Sequence, residues 1–488
     1  MAHQAHGIRW DALVTNLKYH PQLDLSKNTP SDILFRFAPN QTKEIEFFVE
    51  SFCRNLAKHT LTERAKYPAE YNPPQPDSIL IDNRTAKRIT PTVYKWRKAL
   101  EIETGLPVVW SNDLCPHEHD ICDELEADSP ERREQQDDGF KIDCWCALPY
   151  KERRASAFVR QHVHNNCYKF YKANRASLLN VTLMKTLLLY GEMEPVLRAC
   201  SQPAVGYARW ESVGECYDTP TEMGWCSVYQ RALDAYVGLN VLYSFPALWD
   251  PGSGCRRQRP HDENEANALV KEDEYRNTAA YQRMLYLCTK QVESIVETYP
   301  HQEFFGITDT HFDGYMSFRR MAKGLWKWPA LVTALRDYST QPALRADDLP
   351  YGQIPIDVFL NSHNTAPYLP NKTAISKVSV MLYRLGLPTE LVLDILQLAE
   401  YDGSGPRSRL YIAHDPLHPE NRDALIKYLT YCWLTLVRCN MLAHALGIEI
   451  HWKFEIMRCF SRVFGTPPGK RLFIETYNVD EDRYTCQY

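Results

Sequence analysis

The sequence predicts a mainly α fold: a multi-helix, loop-rich globular protein with a C-terminal helical block and few short strands. Three observations predict it. Apolar residues recur at three- and four-residue intervals through several long stretches, the spacing of one helix face. Apolar and charged residues make up 44% and 24% of the chain, the balance of a protein that buries a core. Between those stretches lie many of the 31 prolines and 20 glycines, so irregular connections are expected.

Residues 1–110 form a mixed N-terminal region. Ile33 to Phe37 alternates like a short strand, and Glu44 to Leu56 places Ile45, Phe47, Phe48, Phe52 and Leu56 at helical spacing. Tyr67 to Pro76 is proline-rich and reads as an extended linker; a helix resumes from Val93 to Ile102 with Trp96 and Leu100 on one side. Residues 111–150 are an insertion whose middle, Glu118 to Asp138, is acidic and nearly free of apolar residues. That composition cannot bury enough surface to fold alone, so an exposed loop is expected.

Helices dominate the region 151–249. Leu178 to Leu189 is strongly apolar with Gly191 to end it, and Val228 to Leu242 forms another helix stopped before Pro246. Residues 250–275 are a linker, with P-G-S-G, R-R-Q-R-P and a run of acids. In region 276–340, Tyr281, Met284, Leu285, Cys288, Val292, Ile295 and Val296 give a helical face, and a second helix runs from Tyr315 through Trp326, is broken by Pro329 and resumes to Leu335. A Pro-rich connector, 341–372, leads to the C-terminal block at 373–467 and a polar tail at 468–488. The longest helix of that block follows His418-Pro419, carries Leu425, Leu429, Cys432, Trp433, Leu436 and Leu442, and ends at Gly447. No internal repeat is evident.

A chain of 488 residues has room for two or three cores. Its net charge of −5 provides no basic field for nucleic acid or anionic lipid, and the few arginines from Arg256 to Arg259 are too few for a nucleic-acid footprint. No apolar run approaches the length of a membrane span, and the first residues lack the apolar core of a secretory signal. Fifteen cysteines, an odd number spread along the chain, fit free thiols in a reducing compartment, so cytoplasm or nucleus is the expected location.

The stretch Leu385 to Tyr401 is the most suggestive of function. Pro388 suits a first helical turn, and Thr389 and Glu390 place a hydroxyl and a negative charge at the positive end of the helix dipole. The polar stripe of Glu390, Asp394, Gln397 and Tyr401 is narrow, leaving Leu391, Val392, Leu393, Ile395, Leu396, Leu398 and Ala399 to cover the rest. Such a helix needs cover on two sides. Leu387, Pro388, Glu390, Leu391, Ile395 and Leu396 resemble the opening of an F-box, and the same run is similar to a block found in many uncharacterised proteins of filamentous fungi. The F-box resemblance implies docking on the Skp-type linker protein of a cullin ubiquitin ligase, with the rest of the chain holding a protein substrate. It covers roughly fifteen residues, and Asp402 to Pro406 then turns away from the pattern. An ordinary buried amphipathic helix is the other reading.

A second constellation is Cys115, His117, His119 and Cys122, followed after the acidic loop by Cys144 and Cys146. Zinc takes four such ligands in a tetrahedron, commonly as two close pairs, so a structural zinc clip is one reading and unligated thiols with surface histidines the other. His162, His164 and Cys167 repeat the theme more weakly. Ile307 to Gly314 resembles the first metal-binding block of metallophosphoesterases, but the downstream Gly-Asp and Gly-Asn-His blocks are missing, and turns at Asp309 and Asp313 explain it better. His414 to Asn421 gathers ionisable groups between two helices; a base or metal site there competes with a turn shaped by its prolines. No P-loop, dinucleotide fingerprint, serine-hydrolase elbow or H-E-x-x-H is present.

The expected function is therefore that of an interaction or adaptor protein, with a zinc-stabilised binding module or a metal-dependent enzyme built on Cys115 to Cys146 as the alternative.

Overall fold

The computed structural model describes residues 7–21, 30–36, 42–104, 148–159, 170–205, 224–249, 275–290, 296–307, 311, 351–353, 355–360, 372–398, 410, 412 and 414–465. Among them the chain is mainly helical with two short strands, as expected. In order the elements are α1 (Trp10–Val14), β1 (Leu17–His20), β2 (Asp32–Phe35), α2 (Thr42–Arg64), α3 (Asn83–Thr104), α4 (Ala155–Phe158), α5 (Phe170–Tyr190) and α6 (Met193–Cys200). There follow α7 (Cys226–Ser244), α8 (Ala279–Thr289), α9 (Tyr299–Phe305), α10 (Ile356–Phe359), α11 (Lys372–Arg384), α12 (Thr389–Leu398), α13 (Arg422–Leu446) and α14 (Trp452–Val463).

Glycine ends several helices. Gly191, Gly306, Gly386 and Gly447 all take positive φ, a conformation that costs glycine nothing. After α13 the Ile448 N–H reaches back to Ala443 O and the Gly447 N–H to His444 O, the paired bonds of a Schellman motif. Starts are less regular. At α3 the Asp82 carboxylate accepts from Thr85 N–H, so the helix begins ten residues before Val93 and continues through Pro91.

The helix at the centre is α7, buried at every position from Cys226 to Leu242. It packs against α13, α8 and α14, while α13 also packs on α2 and α6. Burial on all sides forces its polar side chains to find partners inside the protein. Asp234 accepts from Arg462 Nε and Nη2 at 3.0 and 2.7 Å, and Asn240 donates to Tyr236 O at 2.8 Å. Gly238 lets α8 come close: a Cβ there would lie 2.6 Å from Met284 Sδ. A continuous apolar core runs from Ile8 through α2, α5, α7 and α8 to Phe464.

The helical face starting at Tyr281 is shorter than its spacing predicts. Helix α8 ends at Thr289, with Lys290 extended, and Val296 is buried in a separate turn before α9. The strand at Ile33 forms as expected, but Asp32 is buried and ion-paired with Arg283, so the two faces do not alternate cleanly. Strands β1 and β2 pair antiparallel with Leu17 opposite Phe35. Gly465 joins them from the far side of the sequence: its N–H donates to Ile33 O and its carbonyl accepts from Phe35 N–H, both at 3.1 Å. The Tyr67 to Pro76 stretch has no helix or strand until a turn at its end, yet it is tied down by Tyr71 donating to Glu194 and Gln202 donating to Pro74 O.

One buried group makes stability depend on pH. His301 is fully enclosed, its Nδ1 shares a hydrogen bond with the Tyr428 hydroxyl, and burial first, then Arg231, pushes its pKa down to about 3. Above pH 6.5 both folded and unfolded chains hold it neutral. As the pH falls below that, only the unfolded chain takes up the proton, so stability is lost until the folded pKa is reached. Urea unfolding at pH 5 is expected to show roughly 2 kcal/mol less stability from this residue than at pH 7.5. The H301Q chain should lose that much of the slope, and an unchanged slope would show the imidazole is not the cause.

Candidate functional site

Helices α11 and α12 form a hairpin closed by a second Schellman turn. The Leu387 N–H donates to Leu382 O and the Gly386 N–H to Tyr383 O, with Gly386 at φ +83°. Pro388 stands just before α12, where its carbonyl accepts from Val392 N–H at 3.0 Å. The two helices pack on each other. Ile375, Leu382 and Leu396 are half-buried and Val392 is fully buried, which marks the seam between them.

Among the described side chains, none of 372–398 belongs to the continuous apolar core or to the partly buried apolar side chains packed on it. Apolar surface is left outside as a result. Of thirteen exposed large apolar side chains among the described residues, eight lie between Val378 and Ile395. Leu391 is 48% and Leu393 55% exposed, although a leucine of an ordinary core helix would be near zero, as its neighbour Val392 is. A cluster of exposed apolar side chains on a polar-edged helix pair is the mark of an interaction surface.

The structure brings together the six residues of the F-box-like run in this way. Leu391 and Ile395, one turn apart, are exposed together; Pro388 and Glu390 are exposed; Leu387 and Leu396 are partly covered. The helix hides one flank, at Val392, against α11 rather than in the core, and Leu391, Leu393 and Ile395 lack the expected cover on a second side. Helix α11 lies in the helical block expected from residue 373, but sequence reading did not single out its surface. Its Val378, Val380, Met381 and Tyr383 are as exposed as the residues of α12, and the signal was an apolar pattern too wide for one buried face.

The six zinc-candidate residues Cys115, His117, His119, Cys122, Cys144 and Cys146 lie outside the described residues, as do His162, His164 and Cys167. Among the described residues no three His, Cys, Asp or Glu side chains are grouped so as to hold a metal ion. Cys288, Cys432 and Cys439 are buried and form no disulfide, as expected of core thiols.

The segment from His414 to Asn421 proves to be a turn held by its own hydrogen bonds. His414 is the one described non-glycine residue with positive φ, at 61°, and its Nδ1 lies 3.2 Å from Phe305 O. Its ring meets that of His311, with centroids 5.5 Å apart, so two stretches singled out in the sequence do converge. Burial first and His311 second push the His414 pKa down to about 4, which keeps this imidazole neutral at physiological pH. Asp415 accepts from the Tyr275 hydroxyl at 2.6 Å. Asn421 turns its amide back to Ile412 O and Asp415 O rather than over the start of α13. The arrangement orients the long helix; it has the geometry of a brace.

A family model described as "Gramillins biosynthetic cluster protein GRA5" matches residues 11–471, and the chain belongs to that family. No curated protein and no solved structure matches the chain.

Proposed function

We propose that this member of the gramillins-cluster family is a protein-interaction adaptor, and that the α11–α12 hairpin is its docking element. The observation that carries the reading is the apolar surface the hairpin leaves uncovered, Leu391 and Ile395 above all. The partner is a Skp-type linker protein, which makes the chain an F-box-like substrate-recruiting subunit of a cullin ubiquitin ligase, working in the cytoplasm or nucleus. The helical body holds the protein substrate. Among the described residues no helix is long and apolar enough to cross a membrane. The family description states no reaction, which an accessory binding role accommodates.

Covering a half-exposed leucine or isoleucine contributes about 1 kcal/mol, so a few such side chains together give a useful anchor. Replacing Leu391 and Ile395 with Asp puts two charges into that anchor. Co-purification with the Skp-type linker is expected to fall at least about a hundredfold, the result of losing two apolar contacts and burying charge instead. Thermal unfolding of the body should not change, because the hairpin lies outside the core. Linker binding that survives the double replacement would overturn this reading.

A further inference from the structure

We infer that in the free protein the occupant of this surface is the same hairpin of a second copy, the two joining as an antiparallel four-helix bundle. The inference rests on the hairpin being a docking element but not on the identity of the linker.

Helical spacing sets the argument. Measured around each helix from the seam, Val378 and Met381 of α11 and Leu385 just after it fall on the same side of the hairpin as Leu391 and Ile395 of α12, all five exposed, while Val380, Tyr383 and Leu393 fall on the other side, which holds fewer. The charged side chains sit opposite the seam, on the two outer edges. Among the described side chains these are Lys377 and Arg384 on α11, with no acid in that helix, and Glu390 and Asp394 on α12, with no base. One edge is therefore basic and the other acidic.

Two such hairpins can stack on their shared apolar face around a two-fold axis parallel to the helices. Each α11 then lies over the α12 of the other copy, so basic edge meets acidic edge at both sides and like-charged helices fall on the diagonal. A two-fold axis across the helices would instead set α11 on α11 and oppose like charges. The charge pattern selects the first arrangement, and its closed symmetry uses one patch twice without leaving an open end. Leu391 and Ile395 lie inside this contact, so linker and second copy exclude each other, and the linker must displace the dimer.

Light scattering on the full-length chain tests this. The unmodified protein is expected to run as a dimer at micromolar concentration. The pair Glu390→Lys with Asp394→Lys, and separately Lys377→Glu with Arg384→Glu, should each weaken self-association by about tenfold or more, since every edge contact becomes repulsive. Mixing the two variants should restore a dimer containing one of each, because the all-basic hairpin then faces the all-acidic one. That rescue also excludes simple misfolding. A monomeric unmodified chain, undiminished dimers of either variant, or a mixture without the mixed dimer would overturn the inference. A monomer that still captures linker through Leu391 leaves the adaptor reading standing, and a dimer indifferent to linker overturns that reading alone.

Discussion

Replacing Lys185 with alanine is expected to destabilise the protein by about 3–5 kcal/mol, among the largest losses available to a single substitution here. The Lys185 ammonium lies 2.5 Å from Glu297 Oε1, and the two side chains are 2% and 0% exposed. Ser227, in the first turn of α7, donates to the same carboxylate oxygen at 2.7 Å. The cluster thus ties α5, α7 and the turn before α9 at one point. Removing the ammonium leaves the Glu297 carboxylate in the interior without the Lys185 charge, beside the Ser227 hydroxyl. Removing both charges avoids that cost, so the K185M and E297L double replacement should lose less than K185A alone. Urea midpoints with unchanged slopes would measure both. A K185A chain within 1 kcal/mol of the original would show that the pair contributes little.

The second large loss is expected at Trp433, where alanine should cost about 3–5 kcal/mol. Its ring is 1% exposed and meets Phe52 of α2, Tyr236 of α7 and His59 of α2, at centroid distances of 5.4, 5.3 and 5.4 Å. The indole N–H also donates to His59 Nδ1 at 2.9 Å. Alanine opens a cavity where three helices converge, and α2, α7 and α13 cannot close on it without moving their other contacts. Phenylalanine keeps most of the packing and should cost much less. Tolerance of alanine would mean that the helices have another point of closure. Both substitutions lie in the core, and neither is expected to change binding by the hairpin more than their loss of folded protein explains.

The sequence made some elements legible because their signals are local. Gly191 and Gly447 end helices where they were expected to, since the left-handed cap is a property of the glycine itself. The helix after His418-Pro419 was readable for the same reason, its apolar residues repeating over many turns. What depends on distant residues was not readable. Arg231 and Asp234 look like surface residues of α7, yet Asp234 is buried because Arg462 arrives from 228 residues away. The break after Thr289 is hidden in an unbroken apolar pattern. The helix expected from Val93 starts earlier, capped at Asp82, and runs through Pro91. For the candidate site, the excess of apolar residues on α12 was visible from composition alone. That α11 shares the excess was not, because the seam that divides inner from outer residues exists only once the hairpin turns at Gly386.

The pairing of Gly465 with Ile33 and Phe35 has a consequence for how the molecule is made. A nascent chain emerging from the ribosome would hold β2 with one edge bare until Gly465 had been added, and α2 with nothing of α13 or α14 to lie on until synthesis had passed residue 422. Local helices can form early, but the interior cannot close until that last partner arrives. During synthesis the sticky edge and the aromatic side chains of α2 need shelter from other chains, so folding is expected to be a late event and to lean on chaperones.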